Sequence, residues 1–245
     1  MERTKEQFEN DNNDLLNQLE VTKRNIDGAI IDGAFNPEEY YDSQIKILWI
    51  LKEGYEEPFS YPETIRNKFE EIVWKELING RSKPTWFPVA LISHCILNGC
   101  LHFEEIENTD EYRAAIQSSL NKIALININK DPSITGTTSL HKNLQESFEY
   151  YRELILTQIK HLEPDIIICG NTFKYLEQDF QNPQVIKERD GELYVDHYII
   201  DKKIILDPYH PGYTAFKLDA KWYINDVVRT VRDCRKKLSA VVAII

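Results

Sequence analysis

Residues 46–53 read KILWILKE, and this run decides the fold. Its apolar residues are nearly continuous instead of alternating with polar ones. Such a run suits a strand covered on both faces, the usual state of strands in parallel sheets. Three further runs repeat the pattern: KIALININK (122–130), PDIIICG (164–170) and KKIIL (202–206). Helical stretches lie between them. TDEYRAAIQSSL precedes the second run, LQESFEYYRELILTQIKHL precedes the third, and LDAKWYINDVVRTVRDCRKKL follows the fourth. Helices alternating with buried strands predict an α/β fold, a three-layer α/β/α sandwich around a mainly parallel four-stranded sheet. GELYVDHYII (191–200) alternates more and reads as a hairpin arm that pairs with KKIIL across Asp201 and Lys202. Residues 1–43 read as an N-terminal helical extension, with Phe8, Leu15, Leu16, Leu19 and Ile26 at helical spacing over 3–26.

The chain has 245 residues, of which 42% are apolar and 28% charged, enough to bury a full core. No run approaches the roughly 20 apolar residues that a membrane span needs, so no membrane partner is expected. The charged N-terminus lacks the apolar centre of a signal peptide, and a cytoplasmic location is expected. Four cysteines (Cys95, Cys100, Cys169, Cys234) make no disulfide framework in a chain of this size. The stretch HCILNGCLH (94–102) fits no common zinc spacing, so no metal and no cofactor are expected. The net charge of −11 opposes binding to a nucleic-acid backbone, apart from any local basic patch. The basic run RTVRDCRKK (229–237) reads as the exposed face and C-terminal turns of a helix.

In open parallel sheets, ligands sit at the carboxyl ends of the strands. The clusters there are KEGYEE, NINK, CGNT and DPYHPG. Glu53 ends the first run, where a carboxylate can orient a water or stabilise a cation. Asn127 ends the second, and its amide offers both the donor and the acceptor needed to read a base edge. For this residue or Asn129 taken alone, a turn cap on the strand end is the favoured reading. Asn171 lies in GNT (170–172), which has the character of a helix N-cap or a small anion-binding turn. His210 stands between Pro208 and Pro211, so its backbone is stiffened on both sides. Phe87, within PTWFP (84–88), offers either an aromatic wall or core packing.

Taken together, KEGYE (52–56), NINK (127–130) and HPG (210–212) resemble the strand-end motifs of the uracil-DNA glycosylase superfamily, in that order and after the expected strands. The resemblance spans about residues 44–237 and implies a uracil-DNA glycosylase-like α/β domain over 44–245. In that family the first motif positions water or stabilises the sugar cation, the asparagine reads the base, and the late histidine stabilises the departing base. The resemblance thus assigns those roles to Glu53, Asn127 and His210, with Tyr55 or Phe87 as the stacking aromatic. The departures are Lys52 for the first glycine, Gly54 for the water-activating aspartate, Tyr55 for the proline and Gly212 for the late serine. The expected activity is hydrolysis of the N-glycosidic bond of uracil or another altered base in DNA. Two alternatives stand beside it: a non-catalytic nucleobase or nucleic-acid binding module, and a hydrolase of a free nucleoside or nucleotide. The expected partner is accordingly DNA or a small molecule containing a nucleobase.

Overall fold

The computed structural model describes residues 3–22, 32–52, 85–106, 110–131, 141–180, 195–212 and 219–242. They form a mixed α/β fold on a single six-stranded sheet. In chain order the strands are β1 (Gly33–Ala34), β2 (Ile47–Leu51), β3 (Ile123–Asn127), β4 (Ile166–Cys169), β5 (Asp196–Ile200) and β6 (Lys203–Asp207). The helices are α1 (Lys5–Thr22), α2 (Pro37–Tyr41), α3 (Trp86–Leu97), α4 (Asp110–Asn121), α5 (His141–Leu162), α6 (Phe173–Leu176) and α7 (Ala220–Val242).

The four apolar runs do form one parallel block, with β3, β2, β4 and β6 side by side and β2 and β4 central. The expectation of a four-stranded, mainly parallel sheet is nevertheless corrected. An antiparallel strand closes each edge, β1 against β3 and β5 against β6, so the sheet has six strands and is mixed. At one edge the cause is a short connection. β5 and β6 are joined by Asp201 and Lys202, both at positive φ (49° and 67°), and such a two-residue turn can only link antiparallel neighbours.

Side chains alternate across the sheet and divide the apolar interior in two. Trp49, Leu51, Leu125, Ile168 and Leu206 join the core that contains residues of α3, α4 and α7. Leu48, Ile50, Ile126, Ile167 and Ile205 join the core that contains residues of α1, α5 and α6. Both faces are thus covered, which is why the runs carry no polar alternation. The Trp49 indole, wholly buried, donates to Ser93 Oγ at 3.0 Å, so its one polar group is satisfied.

The N-terminal segment is built into this unit. Thr4 and Gln7 form a reciprocal capping box at the start of α1, with Gln7 N donating to Thr4 Oγ1 (3.2 Å) and Thr4 N to Gln7 Oε1 (2.9 Å). Phe8 and Leu15 then bury themselves in the second core. Asn36 caps α2 by accepting from the N–H groups of Glu38 and Glu39, and Pro37 occupies the first helical position. The basic run 229–237 departs from its expected place. α7 continues to Val242, so the run occupies the body of the helix and not its final turns. No helix among the described residues is long and apolar enough to cross a membrane.

Candidate functional site

The carboxyl ends of β2, β3, β4 and β6 lie along one edge of the sheet, as parallel neighbours require. Leu51 is in register with Asn127, and the chain beyond both strands stays paired through Ile128 N to Leu51 O and Asn129 N to Lys52 O, each 2.9 Å. Glu53 and Tyr55 lie outside the described residues.

His210 sits in the turn after β6, packed over the end of β4. A Cβ added to Gly170 would lie 3.4 Å from His210 Cδ2, 3.2 Å from Pro211 Cδ and 2.8 Å from Leu51 Cδ2. Glycine at 170 is therefore what lets the histidine turn approach the strand ends. The imidazole Nδ1 accepts the N–H of Gly212 at 3.1 Å. Burial first, and the cation of Lys52 second, lower the His210 pKa to about 4. At neutral pH the ring is uncharged, and with Nδ1 occupied as an acceptor its proton resides on Nε2. The first residues of α3 abut the same turn, since a Cβ at Gly212 would lie 3.4 Å from Thr85 Oγ1. The His210 turn thus lies beside the Lys52 cation, with Thr85, the N-cap of the twelve-residue α3, against its Gly212.

The turn after β4 is held against the His210 turn by two devices. Asn171, at φ 59°, donates its backbone N–H to Pro208 O at 2.9 Å. Asp207 Oδ1 accepts from Thr172 N (3.0 Å) and Phe173 N (3.3 Å). Of the two readings of GNT, the helix N-cap holds: Thr172 is the N-cap residue of α6, and the N–H groups of Thr172 and Phe173 are taken by the chain's own Asp207 carboxylate. Burial raises the Asp207 pKa to about 6, against the two hydrogen bonds that favour the ionised form.

Asn127 lies three strands away across the block and is fully buried. Its backbone N–H donates to Asp32 Oδ2 at 2.6 Å, and its Nδ2 approaches the same oxygen at 3.4 Å. Asp32 also receives Lys130 Nζ on both oxygens (2.7 and 2.9 Å) and Gln158 Nε2 (3.1 Å), while Lys130 donates again to Gln158 Oε1 (2.8 Å). The side chains of both Lys130 and Asp32 are wholly buried. Burial lowers the Lys130 pKa, and Asp32 opposes that shift.

Phe87 is buried in the α3 core, which supports packing as its role. His94 is likewise a core histidine, bonded to Ser119 Oγ at 2.9 Å. Among the described residues no group of three His, Cys, Asp or Glu side chains could hold a metal ion. A cavity of about 430 Å³ opens elsewhere, lined by Arg3, Asp11, Lys160, His161 and Glu163 among others. Its charges are mixed, and Arg3 is already engaged by Asp11 and His161.

Sequence reasoning missed Asp32 and Asp207. Asp207 stood within DPYHPG, where a carboxylate closing a strand that faces a small polar turn was the available signal. Asp32 carried none, because its role arises only when β1 pairs with β3. No protein-family model matches the chain, and no curated protein matches it.

Proposed function

We propose that the strand-end edge binds a nucleobase and hydrolyses its N-glycosidic bond, as a divergent relative of the uracil-DNA glycosylases on a three-layer α/β/α sandwich. The observation that carries this reading is the state of His210. A neutral imidazole with Nδ1 filled and Nε2–H available, in a turn beside Lys52 and the N-cap of α3, suits the negative charge that develops on a departing base. Asn127 reads the base edge, Glu53 stabilises the cationic sugar or orients water, and Tyr55 is the stacking aromatic. Asn171 shapes the turn beneath the ligand through its bond to Pro208.

Incubation with oligonucleotides carrying uracil or other altered bases, followed by assay for abasic sites, tests the reading. Replacing His210 with alanine is expected to slow cleavage by about a hundredfold or more, with the fold intact by circular dichroism. Failure of the wild-type chain to produce abasic sites or free base from any of these substrates would sink the catalytic reading.

A second reading is favoured by Gly54, which stands where the family carries its water-activating aspartate, and by the net charge of −11. Here the chain binds a nucleobase-containing small molecule without turnover, or acts on a free nucleoside. Saturable binding of uracil or uridine with no affinity for DNA is the expected signature.

A further inference from the structure

The cavity of about 430 Å³ lies away from the strand-end edge. Lys160 and His161 line it from the last turn of α5, and Glu163 lines it from the link into the amino end of β4. Asp11 and Asp14 of α1 face them, with Arg3 from the residues just before that helix. Its volume falls within the range of small-molecule sites, about 300–1,000 Å³.

His161 is the informative wall, because it is only 7% exposed. Its Nδ1 meets the guanidinium of Arg3, which also donates to His161 O at 2.7 Å. A guanidinium has donors only, so Nδ1 is the acceptor. Burial first, and the Arg3 cation second, lower the His161 pKa to about 4. At neutral pH the ring is therefore uncharged and carries its one proton on Nε2. The Phe8 ring stacks on it at 4.6 Å, which keeps the imidazole in place. Nε2 itself is buried and has no hydrogen-bond partner among the described residues. Buried donors are nearly always satisfied, so this one calls for an acceptor that the chain does not supply.

The charges around the cavity say what that acceptor belongs to. Arg3 and Asp11 engage each other. Lys160, Asp14 and Glu163 have no side-chain partner among the described residues, and one cation against two carboxylates leaves one negative charge. We propose that the cavity binds a basic amino acid, its α-carboxylate held by the Lys160 ammonium and the Nε2–H of His161, and its two cationic ends by Asp14 and Glu163. Such a ligand carries the one positive charge that balances the site. The proposal is independent of the nucleobase reading, since the cavity shares no residue with the candidate site.

Free L-lysine added to the full chain is the probe. Imidazole NMR at neutral pH is expected to show His161 as the Nε2–H tautomer, and lysine is expected to shift that signal saturably. The diamine cadaverine, which is lysine without its carboxylate, is expected to bind about tenfold more weakly by calorimetry. Lys160→Ala changes an exposed side chain, and is expected to weaken lysine binding by about tenfold while leaving cadaverine binding no weaker. His161→Phe keeps a ring against Phe8 and the main-chain acceptor for Arg3, and is expected to reduce the preference for lysine over cadaverine. An unmoved His161 signal at about 10 mM lysine overturns the site. Equal affinity for lysine and cadaverine, or undiminished lysine binding in Lys160→Ala, overturns the carboxylate assignment. If His161→Phe does not fold, the wild-type NMR titration and Lys160→Ala decide the matter between them.

Discussion

Asp207 and His210 share one turn and titrate in opposite senses. The folded chain holds the Asp207 proton more tightly than the unfolded one, because burial raises its pKa from 3.8 to about 6. That contribution to stability is fully present below pH 3.8 and is lost as pH rises through about 6. His210 is the reverse: with its pKa lowered from 6.5 to about 4, its contribution is full above pH 6.5 and is lost as pH falls through about 4. Between these limits the two effects offset each other, so the wild-type profile hides both. Substitution separates them. Asp207→Asn keeps a carbonyl acceptor for Thr172 and Phe173 and removes the buried charge, so it is expected to raise stability at pH 7 by about 1–3 kcal/mol. The gain should shrink toward pH 4, as read from urea midpoints across the range. Equal or lower stability at pH 7 would show that the charge strengthens the turn by more than its burial costs. His210→Ala should in turn flatten the loss of stability between pH 6.5 and 4.

At the scale of elements, the contact between the β4 turn and the β6 turn is the critical one, and Gly170 sets its distance. An alanine there would place Cβ 2.8 Å from Leu51 Cδ2, closer than such atoms pack, with Pro211 and His210 directly behind. Gly170→Ala is expected to cost about 1–3 kcal/mol by overpacking and to move the His210 ring resonances in NMR. A stable variant with unmoved His210 signals would mean that Leu51 alone gives way. The β5–β6 turn offers a simpler case. Asp201 and Lys202 both hold positive φ, so Asp201→Asn with Lys202→Gly should raise the urea midpoint by about 0.5–1 kcal/mol equivalent. These elements also show what the sequence discloses. The parallel strands were legible because full burial removes polar alternation, and the hairpin was legible because two residues separate an alternating run from an apolar one. β1 was not legible: two residues, Gly33 and Ala34, carry no periodicity and become a strand only by pairing with β3. In the candidate site, Asn127 and His210 could be read from their positions after strands. Their partners Asp32 and Gly212 act through hydrogen bonds that no local pattern announces.

For the molecule as a whole, the question is how far the first forty residues belong to the sheet that they precede in sequence. Two parts of that segment do different work. α1 covers the second core with Phe8 and Leu15, and its Phe8 ring stacks on His161 at 4.6 Å. Removing residues 1–22 uncovers those contacts, a loss of about 3–5 kcal/mol if two large apolar side chains are taken from the core. Residues 32–34 supply β1 and Asp32. Removing them as well leaves Lys130 buried with Gln158 as its side-chain partner among the described residues, because both carboxylate bonds are gone. An uncompensated buried cation costs about 3–5 kcal/mol on top of the first loss, which together reach the whole stability of an ordinary domain. A chain beginning at residue 23 is therefore expected to unfold cooperatively at a lower temperature, and one beginning at residue 35 to show no cooperative transition. Adding Lys130→Met to the second truncation should restore a transition, since it removes the stranded charge while keeping most of the side-chain volume. If the second truncation unfolds as cooperatively as the first, β1 and the Asp32–Lys130 pair contribute nothing to holding the sheet together.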